Sequence, residues 1–359
     1  MKRVLFIVPH RPGRAPSQRF RFEQYLDFLK INGYDHTFSY LLSAKEDKLF
    51  YSPGKLIQKS WLLTRKFLYR LKDVIRARNY ELIFIQREAF FLGPPIFEYL
   101  LSKRTTPIIF DFDDSIWLPN VSNANKKFHK LKNYGKTAKI IKYADMVFAG
   151  NAYLADYAYK YNHNVKIIPT TINTEEYKPC TNKNNNKIVI GWSGSITTIE
   201  HFKFAIPFLK KIKTRYGNKV EFKVIGDGSY INKELNIIGL PWNKEDEIKE
   251  LSAIDIGIMP LPNNEWAKGK CGLKGLQYMA LEIPTIMSPV GVNTEIIQNG
   301  VNGFLCSTDD EGENTIAQLI ESSELRKKIG EKGRETVINK YSVESQKYNY
   351  LNCFNELTQ

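Results

Sequence analysis

The chain is 359 residues long, which suits two domains better than one. Hydrophobic residues make up 43% of it and charged residues 25%, a composition that excludes a disordered chain. The 52 Lys and Arg outnumber the 38 Asp and Glu, and the net charge of +14 predicts attraction to nucleic acid, anionic lipid or a diphosphate substrate. The 4 cysteines lack metal-ligand spacing and the N-terminus has a strand pattern, so we expect reduced thiols in the cytoplasm. No apolar run is long enough for a spanning helix, so any membrane contact is expected to be peripheral.

Short apolar runs separated by helical patterns fill the first half of the chain. The predicted strands are residues 2–8, 81–86, 107–110, 145–149 and 165–168. Parallel strands that are buried on both faces have this continuously apolar pattern, and helices between them complete βα units. We therefore predict a doubly wound, Rossmann-like α/β domain over residues 1–170.

The second half repeats this alternation after a polar segment. Residues 171–186, which include Pro179 and an Asn/Lys tract, are the predicted linker. Strands are predicted at residues 187–192, 220–225, 254–259 and 284–287, with helices at 199–216, 244–252 and 272–281. This pattern predicts a second Rossmann-like domain over residues 187–340. The terminal helix, in residues 341–359, is long enough to return to the first domain.

Two glycine turns follow neighbouring strands of the second domain. The first contains Ser193, Gly194 and Ser195, and the second contains Gly226 and Gly228. Both lie at the carboxyl ends of strands, where doubly wound folds bind ligands, and glycine lets backbone N–H groups approach a phosphate. Tight strand-to-helix geometry alone explains such glycines equally well. Together the two turns predict a nucleotide site.

A lysine pair, a helix, a buried strand and a further glycine turn follow one another in residues 266–295. The sequence reads QYMA at residues 277–280, PTIMS at 284–288, and then Gly291 and Glu295. This segment resembles the donor-binding segment of glycosyltransferase family 4, whose pattern is EAMA-G-PVVAS…GG…E.

Other motifs extend the resemblance along the chain. NGVNGFL at residues 299–305 is similar to the family's DGxNGxL turn, and residues 168–179 are similar to its IPxGxDxxxFxP segment. In the first half, SQRFR at residues 17–21, QRE at 86–88 and DFDDSIW at 111–117 resemble one bacterial branch of the family. The resemblance therefore covers nearly the whole chain.

The resemblance implies the GT-B fold, in which two Rossmann-like domains face a central cleft, and sugar transfer with retention of anomeric configuration. It implies a UDP-sugar or GDP-sugar donor, no required cofactor and no metal. The implied acceptor is a saccharide or a polyprenyl-diphosphate-linked sugar, in the biosynthesis of lipopolysaccharide, capsule or exopolysaccharide. We expect such an enzyme in the cytoplasm, in peripheral contact with the anionic inner face of the plasma membrane and without nucleic acid as a partner.

The chain departs from the family pattern at positions that matter for the donor. Many members carry two glutamates, one for the donor sugar and one for the ribose, and those positions are Gly269 and Gln277 here. Glutamine can still bond ribose hydroxyls through its amide. The Arg or Lys that many members have after the first glycine turn is absent, so Lys270 and Lys274 are the expected partners of the diphosphate. The predicted donor-binding residues are Ser193, Gly194, Ser195, Gly226, Gly228, Lys270, Gly272, Lys274, Gln277 and Glu295.

Negative charge builds on the leaving diphosphate during glycosyl transfer, and cations placed there favour the transition state. We assign that role to Lys270 and Lys274; a solvated helix face is the alternative. The family commonly presents a His to the donor sugar, and Asp113 occupies its position here. We predict that Asp113 or Asp114 contacts the sugar or the acceptor hydroxyl. Asp111 with Asp113 also matches the Asp-x-Asp motif of metal-dependent transferases, and Asp114 suits a helix N-cap.

The expected acceptor site in the first domain comprises His10, Arg19, Arg21 and Glu88. The two arginines either bind an acceptor phosphate or line a wet surface. Two basic segments accompany this domain: residues 55–78 interleave basic with apolar residues, and residues 126–142 hold 7 lysines and no acid. Basic amphipathic helices favour anionic lipid surfaces. Alternatively, the apolar side of residues 55–78 packs on the sheet.

Three other functions stay open at the level of sequence. A sugar-nucleotide epimerase would need a more developed acid/base set than the first domain offers. A basic nucleic-acid-binding protein fits the net charge of +14, but the chain has no zinc, helix-turn-helix or RNA-recognition signature. A catalytically degenerate GT-B protein that acts as an assembly partner fits the glycine at position 269.

Overall fold

A computed structural model describes residues 1–119, 133–180 and 186–359 of the chain. These residues form two compact units, one of Met1–Pro169 with Lys347–Gln359 and one of Thr170–Gln346. Part of the basic segment at residues 126–142 and part of the predicted linker therefore lie outside the described residues. The described linker residues belong to the second unit, where Ile172 pairs with Ser342.

The first unit is a parallel sheet of six strands with helices between them. The strand order is β2-β1-β3-β4-β5-β6, so the direction of winding switches between β1 and β3. The strands are β1 (Lys2–His10), β2 (Tyr34–Leu42), β3 (Leu82–Gln86), β4 (Ile108–Phe112), β5 (Met146–Ala149) and β6 (Val165–Ile167). The helices are α1 (Pro16–Arg19), α2 (Leu26–Ile31), α3 (Ala44–Tyr51), α4 (Leu56–Arg76), α5 (Ile96–Leu101), α6 (Lys136–Tyr143) and α7 (Ala152–Tyr159).

Strand β2 has no counterpart among the sequence predictions. It pairs in parallel with β1 at the edge of the sheet, with Phe6 opposite Phe38. Several of its residues, including His36 and Ser39, are polar, and only four of its nine residues are fully buried. An edge strand is covered less completely than a central one, so its sequence lacks the continuous apolar run that marks β3, β4 and β5.

The second unit contains another six-stranded parallel sheet. Its order is β11-β8-β7-β12-β13-β14, which is 3-2-1-4-5-6 when its strands are counted along the chain. The strands are β7 (Ile188–Ser193), β8 (Val220–Gly226), β9 (Ile231–Asn232), β10 (Ile237–Ile238), β11 (Leu240–Pro241), β12 (Ile256–Met259), β13 (Thr285–Met287) and β14 (Phe304–Leu305), of which β9 and β10 form a separate hairpin. The helices are α8 (Ile199–Phe202), α9 (Ile206–Tyr216), α10 (Glu247–Ser252), α11 (Glu265–Lys268), α12 (Leu273–Ala280), α13 (Asn293–Ile296), α14 (Asp309–Glu321) and α15 (Ser323–Thr336).

The last helix, α16 (Val343–Thr358), packs on the first unit from Lys347 onward. The ring of Tyr350 stacks on that of Tyr25 with centroids 4.2 Å apart. Near the end of the helix, Nζ of Lys2 donates to the carbonyl oxygen of Thr358 at 2.8 Å. The predicted architecture of two doubly wound α/β domains, with a terminal helix that returns to the first, is therefore confirmed. Among the described residues, no helix combines the length and the apolar composition needed to cross a bilayer.

Candidate functional site

The two glycine turns of the second unit contact each other at the carboxyl edge of its sheet. The N–H of Gly194 donates to the carbonyl oxygen of Ile225 at 2.8 Å. A Cβ atom on Gly226, whose φ is +129°, would lie 2.3 Å from the carbonyl oxygen of Gly194, and one on Gly194 would lie 2.1 Å from the ring of Trp192. Neither glycine can carry a side chain here, so close packing accounts for both. Gly228 is exposed in the second turn, next to Pro241.

Helix α12 is tied to the first turn by Tyr278. The N–H of Ser193 donates to the Tyr278 hydroxyl at 2.6 Å. The tyrosine ring occupies space left by Gly257 on β12, where a Cβ atom would lie 2.5 Å from the ring. Burial raises the pKa of Tyr278 to about 12, so the hydroxyl stays protonated. This bond places the start of α12 beside the turn after β7.

Lys274, on the first turn of α12, lies against that glycine turn. Its ammonium is 4.2 Å from the ring centroid of Trp192 and donates to Oγ1 of Thr198 at 3.4 Å. The same oxygen accepts from the N–H of Ser195 at 2.9 Å. Burial, together with the neighbouring charge of Lys270, lowers the pKa of Lys274 to about 7. Within the described ranges, Lys274 has no carboxylate partner, and an aromatic face compensates a cation less than a carboxylate does.

Lys270 and Gly272 lie in the segment immediately before the first residue of α12. The Lys270 ammonium lies 5.3 Å from the ring centroid of Trp266. Gly272 has φ +70°, a conformation that favours glycine, and a Cβ atom there would lie 2.4 Å from the side chain of Ile296 on α13. Glu295, on the same short helix, is exposed. Ser193, Gly194, Ser195, Gly226, Lys270 and Lys274 are thus brought together, as a nucleotide site requires.

The side chain of Gln277 is buried one turn further along α12. Its Nε2 donates to the Tyr177 hydroxyl at 3.0 Å and to Oε1 of Glu247 at 3.4 Å. Glu247 also accepts from the Tyr177 hydroxyl at 2.9 Å and from Nε1 of Trp242 at 2.9 Å. The amide N–H groups of Gln277 therefore bond protein partners, and the predicted ribose contact would have to use the amide oxygen.

Asp113 and Asp114 follow β4 in the first unit and bind the same arginine. Nη2 of Arg87 lies 2.7 Å from Oδ1 of Asp113 and 2.5 Å from Oδ2 of Asp114. Burial alone would lower the pKa of Arg87, but the two carboxylates outweigh it and raise that pKa. Arg87 has φ +61°, which is uncommon outside glycine and marks a constrained backbone. The N-cap interpretation of Asp114 is not met, since residues 115–118 form turns.

Arg21 is a core residue, so its predicted contact with the acceptor is wrong. Its guanidinium and the Asp111 carboxylate are both 0% exposed, with Nη2 2.5 Å from Oδ1. The same guanidinium donates to the carbonyl oxygen of Ile168. Of the two Asp-x-Asp carboxylates, Asp111 pairs with Arg21 and Asp113 pairs with Arg87. In residues 1–119, 133–180 and 186–359, no group of three His, Cys, Asp or Glu side chains is placed to hold a metal ion.

The other predicted acceptor residues lie partly buried in the first unit. Burial, and next the charge of Arg14, lowers the pKa of His10 to about 4, which leaves its imidazole neutral at pH 7. Glu88 is 2.5 Å from Nζ of Lys136 on α6. The Arg19 guanidinium lies 4.9 Å from the ring centroid of Phe20. Their contact with an acceptor stays a prediction.

Four contributors to these sites were absent from the predictions. Arg87 adjoins the predicted Glu88, and Trp192 adjoins the predicted turn, so both lie within motifs that the sequence displays. Tyr177 and Tyr278 also lie within quoted motifs, but their roles depend on hydrogen-bond partners that are distant in the chain.

Comparison with known proteins places these features in a family context. Residues 173–336 match the family described as Glycosyl transferases group 1. The matched range includes both glycine turns and the whole of α12.

Two curated relatives match parts of the chain. An N-acetyl-alpha-D-glucosaminyl L-malate synthase of Bacillus anthracis is 33% identical over 28% of this chain and 26% of its own length. The capsular polysaccharide biosynthesis glycosyltransferase CapM of Staphylococcus aureus is 26% identical over 44% of this chain and 43% of its own. The alignments thus span less than half of the length of either relative.

Solved structures match over the full length. A glycosyltransferase of Rickettsia africae has a TM-score of 0.70 at 18% identity, covering 100% of this chain and 99% of that one. Anabaena Alr3699/HepE, solved in complex with UDP and glucose, has a TM-score of 0.67 at 15% identity, covering 99% and 100% of the two chains. The chain therefore has the GT-B fold, and residues 173–336 of its second unit match the Glycosyl transferases group 1 family.

Proposed function

We propose that this chain is a retaining glycosyltransferase that moves a sugar from a UDP-sugar or GDP-sugar to a saccharide or polyprenyl-diphosphate-linked acceptor. The observation that carries the proposal is the position of Lys274, a partly buried cation beside the glycine turns at the carboxyl edge of the second sheet. The likeness to the capsular polysaccharide enzyme supports a role in surface polysaccharide assembly. The HepE structure with UDP and glucose makes UDP the first nucleotide to test.

The chemistry of this site follows from its charges. As the bond between the anomeric carbon and the diphosphate oxygen breaks, negative charge grows on the diphosphate, and a cation already in place stabilises that charge without reorganisation. A diphosphate beside Lys274 would favour the ammonium form and raise the pKa of this group from about 7. Lys270, whose charge lowers the pKa of Lys274, would share the same anion. The proposed reaction needs no cofactor and no metal.

The first unit would supply groups for the sugar and the acceptor. Asp113 and Asp114 lie in ion pairs with Arg87, and burial raises the pKa of Asp113. Carboxyl oxygens accept hydrogen bonds from sugar hydroxyls. His10 is neutral at pH 7, so it can donate from one ring nitrogen and accept at the other. We assign Asp113, Asp114 and His10 to the recognition of sugar hydroxyls. The proposed enzyme acts in the cytoplasm, at the inner face of the membrane.

Substitution of Lys270 tests the proposal. We expect UDP or GDP to raise the melting temperature of the wild-type protein, and Lys270→Ala to lower the turnover of the matching nucleotide sugar by about a hundredfold or more. Lys268→Ala is the matched control, because Lys268 lies two positions earlier and pairs with Glu265 at 2.6 Å. Near-wild-type turnover by Lys270→Ala would contradict the assignment.

A catalytically degenerate protein that binds nucleotides without transfer is a second candidate. It is favoured by Gly269 at the position of the sugar-binding glutamate and by the Gln277 amide N–H groups, which bond Tyr177 and Glu247. Stabilisation by UDP or GDP with no release of nucleotide from any UDP- or GDP-sugar would select this candidate. No stabilisation by either nucleotide would contradict both candidates.

A further inference from the structure

Helix α4 buries an ion pair on its inner face and exposes large apolar side chains on its outer face. Arg70 and Asp73, both buried, lie on its inner face and form an ion pair of 2.9 Å. Nη2 of Arg70 donates to the carbonyl oxygen of Val8 at 2.8 Å, and Nη1 donates to that of Ser39 at 2.9 Å. These bonds hold α4 on β1 and β2. The charges of this face therefore serve the fold.

Four large apolar side chains occupy the outer face of the same helix. Ile57 is 87% exposed, Trp61 66%, Leu68 60% and Ile75 63%. At about 100° per residue, all four lie within roughly 40° of one another around the helix axis. At about 1.5 Å per residue, they form a stripe roughly 27 Å long. We call these four residues the outer stripe; exposed apolar surface of this extent marks an interaction site.

The surroundings of the outer stripe are cationic. Lys72 and Lys55 are exposed, and the side chain of Arg65 is 58% exposed, with Nη2 3.8 Å from Oε1 of the less exposed Glu46. Asp73, the one acidic residue of α4, is buried on the opposite face. A second copy of this chain would bring the same cations together across the stripe, which is unfavourable. A surface with negative charge and an apolar interior fits both features.

We propose that the outer stripe docks this protein onto an anionic lipid bilayer, with α4 parallel to the membrane plane. Apolar faces of such helices enter the boundary between headgroups and acyl chains, Trp favours that depth, and flanking Lys and Arg bind anionic headgroups. Leu62 and Val74 pack toward the protein, whereas the outer stripe is exposed to solvent. This inference goes beyond the proposed transfer reaction and does not depend on it.

Flotation of the full-length chain with lipid vesicles tests the proposal. We expect the wild type to bind vesicles of phosphatidylcholine with phosphatidylglycerol, and to bind phosphatidylcholine alone more weakly. Ile57→Ser with Trp61→Ser should weaken partitioning roughly tenfold or more, because two apolar side chains no longer enter the bilayer. The matched control is Ile231→Ser with Ile238→Ser, which removes two apolar side chains that are 66% and 77% exposed in the second unit. The control should bind as the wild type does.

Charge substitutions separate the two parts of the interaction. Arg65→Gln with Lys72→Gln should reduce the preference for phosphatidylglycerol, by roughly fivefold per charge removed, and leave binding to neutral vesicles unchanged. Three results would overturn the proposal: no binding of the wild type to anionic vesicles, equal losses in the test and control variants, or a dimer in solution that Ile57→Ser with Trp61→Ser dissociates. The last result would identify a second copy of the chain as the occupant.

Discussion

At the carboxyl edge of the first sheet, two arginines face carboxylates, whereas at the carboxyl edge of the second sheet a lysine faces an indole ring. Arg21 pairs with Asp111, and Arg87 pairs with Asp113 and Asp114. Lys274 instead lies over Trp192 and, among the residues that the structure describes, has no carboxylate partner. The same kind of fold therefore uses ion pairs to hold its own loops in the first unit and places a lysine against an aromatic ring in the second.

The largest expected effect is a loss of stability when the buried ion pair between Arg21 and Asp111 is removed. Asp111→Asn leaves the buried Arg21 guanidinium without its counter-charge, so we expect the free energy of unfolding to fall by about 3–5 kcal/mol. Urea denaturation measures this change. Glu234→Gln, in the exposed 2.5 Å pair with Lys210, is the control and should cost less than about 1 kcal/mol. If the free energy of unfolding falls no further in Asp111→Asn than in Glu234→Gln, the Arg21–Asp111 ion pair does not stabilise the fold.

At the carboxyl edge of the second sheet, we expect substitution of Lys274 to lower the transfer activity without lowering the free energy of unfolding. Lys274→Ala should lower transfer by about a hundred- to a thousandfold, because the leaving diphosphate loses a cation. The free energy of unfolding should not fall, since burial lowers the pKa of Lys274 and the folded protein gains nothing by charging it. Steady-state kinetics measures the loss of transfer activity, and urea denaturation measures the free energy of unfolding. A clear loss of stability in Lys274→Ala would show that this lysine, like the arginines of the first unit, serves the fold.

Nucleotide binding should depend on pH through the same lysine. Lys274 is protonated below its pKa of about 7, so the affinity for UDP should be full at lower pH. It should fall as the pH rises above that value, by at most about tenfold per pH unit. Isothermal titration calorimetry from about pH 6 to about pH 9 measures this slope, and Lys274→Arg should remove it because guanidinium stays charged. An equal slope in Lys274→Arg would assign the titration to another group.

The smallest effect concerns the bond that joins the second edge to α12. Tyr278→Phe leaves the buried N–H of Ser193 without its partner and should reduce the free energy of unfolding by about 1–2 kcal/mol. The comparison variant is Tyr216→Phe, whose hydroxyl bonds Glu321 at the surface and should contribute less than about 0.5 kcal/mol. Equal changes in the two variants would show that the Ser193 bond does not fasten α12.

The fold follows from local sequence, and so does the clustering of the candidate nucleotide-binding residues. Continuous apolar runs mark the central strands, and the local pattern of residues 266–295 places Lys270 and Lys274 around the start of a helix. The partners of these residues could not be read in the same way. Arg21 and Asp111 are 90 positions apart, and Gln277 and Tyr177 are 100 positions apart. Only the tertiary fold pairs the Arg21 guanidinium with Asp111 and directs the amide N–H groups of Gln277 to partners inside the protein.

The fit between Tyr278 and Gly257 has a consequence for protein engineering. A Cβ atom at position 257 would lie 2.5 Å from the tyrosine ring, so the strand and the helix are adapted to each other as a pair. A chimera that imports α12 from a relative with a small residue at position 278 would leave an unfilled volume behind β12. A chimera that imports β12 alone, with any side chain at position 257, would collide with the ring. Recombination between such proteins should therefore place its crossover points outside residues 256–280, so that strand and helix are exchanged as one block.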